Sequence, residues 1–163
     1  MEYPVHSDDI TMIEYNVEGY ADVIEEMKPL LQDHYHEVAM YQDKIDLNPD
    51  YDVYDQMAEA GKLHVVTARD EGKLIGYIVS IVNYNPHYKD HLYCVNDVLY
   101  VHPDHRHTEV APNLLQFLED KMSELGVSVM TFHMKVFKSF ETLMDMLGYD
   151  HAEHLYMKYI KED

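Results

Sequence analysis

The chain has no tryptophan, a single cysteine (Cys94) and only six glycines and six prolines among 163 residues. One cysteine excludes an internal disulfide framework and a cysteine-based zinc cluster, and it suits a reducing compartment. The scarcity of glycine and proline excludes collagen-like and linker-like chains, and 47% apolar residues argue against disorder. No apolar run approaches the roughly 18 residues that span a bilayer. The first residues, MEYPVHSDDI, have neither the basic flank nor the apolar stretch of a secretory leader. The expectation is a single domain over 1–163, cytoplasmic and without a membrane partner.

Positive charge is also scarce. Twelve Lys+Arg face 31 Asp+Glu, a formal net charge of −19. Such a surface repels nucleic-acid phosphates and anionic lipid. It attracts cations: a small-molecule amine, a polyamine or a basic protein. The same acidity also serves solubility alone.

Periodicity orders the chain. Tyr20, Val23, Ile24, Met27, Leu30 and Leu31 predict an amphipathic helix over 20–32, with Pro29 kinking or restarting its last turn. An Asp/Asn/Pro-rich loop leads to a short helix opening near Asp50, with Gly61 as its stop. The period then shortens: strand 63–68, hairpin turn 70–73, strand 74–84, a break at Asn85-Pro86, and strand 93–101 stopped by His102-Pro103-Asp104. Helix 113–125 ends at Gly126 and strand 127–135 follows. Ser139 suits an N-cap for a helix whose stripe is Phe140, Leu143, Met144 and Leu147, and strand 155–160 closes the chain. The fold class is α/β, with antiparallel strands first and a helical crossover after the third.

The densest chemistry lies between Asp97 and Leu115. An apolar strand ends in Val101-His-Pro-Asp-His-Arg106, and a short turn enters a helix with Pro112 near its first position. The first amides of a helix lack internal partners and, with the macrodipole, offer positive potential to a phosphate, to which Arg106 adds a charge. Here the chain resembles the GCN5-related N-acetyltransferase (GNAT) superfamily, whose signature Val-x-Pro-x-x-Arg/Gln-x-x-Gly-x-Gly/Ala is matched at Val101, Pro103, Arg106 and Ala111. Lys73 to Val79 is similar to the family's "dG.lvGyi.v" strand, and Leu147-Gly148-Tyr149 to its "lGF". The likeness covers about residues 60–160.

The resemblance implies a mixed, mostly antiparallel twisted sheet flanked by helices, with splayed central strands. It implies an acetyl-CoA-dependent N-acyltransferase with no metal. The pantetheine would pair with Leu99, Tyr100 and Val101, and the pyrophosphate would sit on Arg106, His107, Thr108, Glu109, Val110 and Ala111. It also allows a homodimer. Three positions depart from the pattern: Glu109 replaces the central glycine, Met144 the tyrosine acid and Phe137 an upstream asparagine. Methionine donates no proton, so the general acid must be another group or water, and Tyr149 is the nearest substitute.

Asp97 matches the strand carboxylate that serves many relatives as base. Regular alternation would set it beside Leu99 and Val101, in an apolar setting suited to a base; the alternative is a carboxylate paired with a cation or simply exposed. Asp33-His34-Tyr35-His36-Glu37, after the first helix, would border the acceptor pocket through Tyr35, His36 and Glu37, and Tyr84 would cover it. His34 and His36 have no third metal ligand at hand. Cys94 has no histidine partner nearby in sequence, and the methionines read as core filling. The leading function is acetyl transfer to a primary amine of a small molecule or protein. The alternative is a catalytically weak GNAT-fold protein that binds a basic partner.

Overall fold

A computed structural model describes residues 12–162; the N-terminal stretch discussed above lies outside them. The element order is β1 (Ile13–Glu18), α1 (Tyr20–Val38), α2 (Tyr51–Glu59), β2 (Leu63–Asp70), β3 (Lys73–Asn85), β4 (Tyr88–Val101), α3 (Val110–Glu124), β5 (Val127–Thr131) and α4 (Glu141–Met146). The strands form one sheet in the order β1-β2-β3-β4-β5. The first three pairings are antiparallel and β4–β5 is parallel. α3 provides the crossover that a parallel pair requires.

The sheet separates two apolar layers. On one face Leu114, Leu115, Leu118 and Met122 of α3, with Met144 of α4, cover Ala68, Ile78, Val82, Cys94 and Val101. On the other, Tyr20, Val23 and Met27 of α1, with Tyr54 and Met57 of α2, cover Val65, Tyr77, Val79 and Tyr100. The i, i+3, i+4 stripes read from the sequence therefore face the sheet from both sides.

Several boundaries differ from the expected ones. Pro29 interrupts nothing: α1 runs through it to Val38, and Pro29 lies on the exposed face, where the carbonyl freed by its missing N–H meets water. Asp33 to Glu37 thus form the last turns of α1 rather than a segment after it. β1 is absent from the sequence reading, although Ile13, Tyr15 and Val17 alternate with Glu14, Asn16 and Glu18. α3 begins three residues earlier than expected, at Val110. β5 ends at Thr131 rather than 135, and residues 151–162 form no strand; Leu155, Tyr156 and Ile160 are 72%, 91% and 83% exposed. The strand expected over 155–160 does not form, and its apolar side chains meet solvent.

The feature that positions the site is a bulge in β4. Val79 pairs with Val98 and Ser80 with Asn96, so Asp97 has no cross-strand partner. Before it, Leu92 and Cys94 face the α3 layer; after it, Leu99 and Val101 do. One extra residue has reversed the alternation.

Candidate active site

β5 pairs with β4 only from Leu92↔Val127 to Val95↔Thr131. Beyond Val95 the two strands part, and the chain after β5 is held to β4 by the His133 N–H donating to Asn96 Oδ1 at 2.8 Å. Among the described residues, the remainder of β4 has a strand only on its β3 side. The His102 N–H donates to Ile75 O at 2.7 Å, so Tyr100 and Val98 direct their backbone groups to β3. Leu99 and Val101 direct theirs into the fork.

Asp97 stands at the point of divergence. The bulge turns it off the Leu99 and Val101 face expected from alternation and onto the α2 side. There its exposed carboxylate accepts a 2.7 Å hydrogen bond from the Tyr54 hydroxyl. Tyr54 is stacked on Tyr20, with ring centroids 5.7 Å apart and 20° between planes. Burial, and then the bond to Asp97, push the Tyr54 phenol well above its ordinary value. Burial, with Asp55 next, raises Tyr20 to about 12. Both hydroxyls therefore stay protonated donors at neutral pH.

Past Val101, residues 103–105 form a single 3₁₀ turn, and His107 takes φ +60 before α3 begins. Thr108 Oγ1 donates to His105 O at 2.5 Å and accepts from the Val110 N–H at 3.3 Å. Among the described residues nothing engages the amides of His107, Thr108, Glu109 or Ala111. Free amides around a left-handed residue at a helix N-terminus form a concave anion site. Glu109 is exposed and, with Thr108 and Val110 of the same turn and Ile13, Tyr15 and Asp70, lines a concavity of about 350 Å³ toward β1. That is the sheet edge away from the fork, and the Glu109 charge acts on Tyr15.

Arg106 is not a free cation. Its guanidinium donates to both Glu37 oxygens at 2.7 and 2.9 Å, and its Nε–H to Val101 O at 2.7 Å. It also lies 5.7 Å from the Tyr100 ring centroid. The Arg106 bond, ahead of Lys138 at 3.4 Å, holds the Glu37 carboxyl below its ordinary range. Beside them His34 packs edge-on against Tyr100 at 5.7 Å, and burial lowers its pKa.

The remaining sequence-predicted residues scatter. The Tyr35 hydroxyl donates to Ile45 O at 2.5 Å, and His36 meets Gln42 at 3.3 Å, so both fasten the chain that follows α1. Tyr84, 65% exposed, pairs with Leu92. It lies roughly 30 Å along β4 from the Val101 end where Glu37 sits, at about 3.3 Å per residue; the two do not share one pocket wall. Tyr149 packs on Phe132 at 5.5 Å in the α3 layer with its hydroxyl directed to Glu119; burial, and then that bond, raise its pKa. It lies on the opposite face of the sheet from Asp97. Met144 is buried in that layer, and Cys94 is buried with its thiol pKa raised. Among the described residues no three His, Cys, Asp or Glu cluster as metal ligands, and no helix is long and apolar enough to cross a membrane. The sequence reading missed Tyr54, although Tyr51 and Tyr54 at i, i+3 were a legible aromatic face.

The acetyltransferase (GNAT) family model matches residues 24–142, more than half of the chain. No curated protein matches the sequence. Among solved structures, a ribosomal-protein-alanine N-acetyltransferase from Brucella melitensis biovar Abortus 2308 superposes with TM-score 0.72 at 20% identity, over 93% of this chain and 99% of that one. An aminoglycoside acetyltransferase from an uncultured soil metagenomic sample, in complex with sisomicin, gives 0.69 at 12% identity over 92% and 95%. A predicted acetyltransferase from Clostridium acetobutylicum, with acetyl-CoA, gives 0.66 at 14% over 91% and 96%. At these identities the likeness is one of fold.

Proposed function

Because this chain belongs to the acetyltransferase (GNAT) family, we propose that it transfers an acetyl group from acetyl-CoA to a primary amine, with Asp97 as the base. The observation that carries this reading is the fork: β4 loses β5 after Val95, beside a carboxylate and upstream of a turn with unengaged amides. Those features fit the co-substrate. Leu99 and Val101, with Tyr100 between them, would pair with the pantetheine amides. The turn from Arg106 through His107, Thr108, Glu109, Val110 and Ala111 would receive the pyrophosphate on its N–H groups, with the Glu109 side chain on the β1 side. Bound there, acetyl-CoA supplies an acetyl group activated as a thioester.

The chain's own work is then to bind and deprotonate the amine. Asp97 is exposed on the α2 side, so the acceptor approaches between α2 and the fork. Tyr35 and His36 shape the connection that borders this approach. Asp97 takes a proton from the ammonium, leaving a nitrogen lone pair to attack the carbonyl. The backbone N–H of Leu99 or Val101, directed into the fork, would stabilise the developing oxyanion. With Met144 in the core and the Tyr149 hydroxyl directed to Glu119, water is the better candidate to protonate the leaving thiolate. The net charge of −19 favours a cationic acceptor. The structural neighbours include enzymes acting on an aminoglycoside and on a ribosomal protein, so both small and protein amines remain within the reading.

The competing reading, a GNAT-fold protein that binds a basic partner with little catalysis, draws support from the Glu37 carboxylate that neutralises Arg106. Thermal shift with acetyl-CoA separates the two. Ligand at a hundred times Kd adds about 2.7 kcal/mol, or several degrees for a chain of this size. No shift at millimolar acetyl-CoA leaves only the binding reading. A shift together with acetylated spermidine, lost in Asp97→Asn, supports the enzyme.

A further inference from the structure

We infer that Tyr54 is a positioning residue for Asp97: its hydroxyl fixes Oδ2 of the carboxylate and leaves Oδ1 as the oxygen that takes the amine proton. The inference rests on the proposed role of Asp97 as base. The bulge sets Asp97 on the α2 face but leaves it no cross-strand neighbour to fix the rotation of its carboxylate. The Tyr54 hydroxyl does so across 43 residues of sequence, at 2.7 Å. Tyr54 is well held itself. Its ring stacks on Tyr20, and α2 opens on an Asp50 side chain that accepts from the Val53 N–H at 3.2 Å.

A phenol has one proton to donate, and this one goes to Oδ2. When the amine gives up its proton, the N–H bond breaks and an O–H bond forms on Oδ1, with the nitrogen keeping the electron pair. Tyr54 continues to donate throughout and loses nothing. Because Tyr54 is on α2, the helix beside the acceptor's approach, the orientation of the base is tied to that helix. An acceptor that moves α2 therefore moves the base as well.

The groups that interact with the Asp97 charge are Tyr54 on α2, Tyr20 on α1 and Tyr77 on β3. Of these only Tyr54 has a hydrogen bond to the carboxylate. The test uses the whole chain labelled with ¹³C at Asp, the Asp97 carboxyl signal being assigned with Asp97→Asn. Tyr54→Phe keeps the ring and its stack and removes only the donor, so the Asp97 carboxyl signal at pH 7 should move, and kcat for acetyl transfer to spermidine should fall about 3–10-fold with KM within about twofold. Tyr20→Phe, which removes a hydroxyl from the same stack, should leave both in place. An unmoved signal or an unchanged kcat in folded Tyr54→Phe, or equal changes in Tyr20→Phe, overturns the positioning role. If instead the signal moves as stated and Asp97→Asn retains full acetyl transfer to spermidine, the base assignment fails while the Tyr54 contact stands.

Discussion

Replacing Glu37 by Gln should loosen the protein and tighten its hold on acetyl-CoA at the same time. The Glu37–Arg106 pair joins the last turn of α1 to the signature turn by two charge-assisted bonds, 2.7 and 2.9 Å long. The side chains are 24% and 29% exposed. That places the pair between an exposed ion pair, worth under about 1 kcal/mol, and a buried one, whose disruption costs about 3–5 kcal/mol. Glutamine keeps one acceptor, so the expected loss is about 1–2 kcal/mol, or a Tm lower by about 3–6 °C.

The sign of the pH dependence follows from Glu37. Its carboxyl is held below its ordinary 4.5 when folded. The stabilisation is therefore complete above that value and fades as the pH falls through the folded pKa. Melting curves of the two proteins should differ at pH 7 and converge in acid. In the variant the guanidinium at the anion site loses its counter-charge, and acetyl-CoA should bind about 5–30-fold more tightly, the equivalent of the same 1–2 kcal/mol. Isothermal titration measures this directly. A variant that loses affinity in step with stability would refute the placement of the pyrophosphate beside Arg106.

Other substitutions test other parts of the molecule. Gly76 lies where an added Cβ would sit 3.1 Å from Tyr100 O and 3.4 Å from Val101 Cγ2, so Gly76→Ala should cost about 1–3 kcal/mol by chemical denaturation; a neutral result would refute the close approach of β3 and β4. Among the described residues the buried Tyr77 hydroxyl has no hydrogen-bond partner, and Tyr77→Phe should be neutral or stabilising by up to about 1 kcal/mol. A clear loss of stability would mean that the hydroxyl is bonded after all. Arg69 joins β2 to Glu18 of β1 and Glu26 of α1, with bonds of 2.8–2.9 Å. Arg69→Met should cost about 2–3 kcal/mol at pH 7. Both carboxyls are held below their ordinary range by Arg69, so that cost should shrink as the medium is acidified below it; a cost independent of pH would assign it to lost packing.

The order of elements from α1 to α4 was legible because each helix presents a one-sided stripe and each strand of the central meander a period of two. What escaped was whatever depends on a neighbour. Val127, Val129 and Thr131 alternate as a strand should, yet the ladder stops at Thr131 because the following chain turns away from β4, and nothing within 127–135 marks that point. The setting of Asp97 was misread for a related reason: a bulge is defined by two strands, and one strand's sequence carries no trace of it. Arg106 was legible as part of a phosphate turn. Its partner Glu37, 69 residues away, was read as a pocket wall, since a helix end rich in charge looks the same whether it faces solvent or another chain segment. Tyr149 shows the limit of proximity in sequence: next to the lost acid position, it belongs to the other face of the sheet.

The extra residue in β4 works like a frameshift written in space. Deleting Asp97 would take that shift out again: Val98 would follow Asn96 directly and still oppose Val79, so Tyr100 would keep the α1 face and Leu99 and Val101 the α3 face. Loss of that one codon and a point change there should therefore both silence the chemistry and leave the sheet standing. Deleting a residue from the regular ladder on either side would instead exchange the faces of every side chain beyond it.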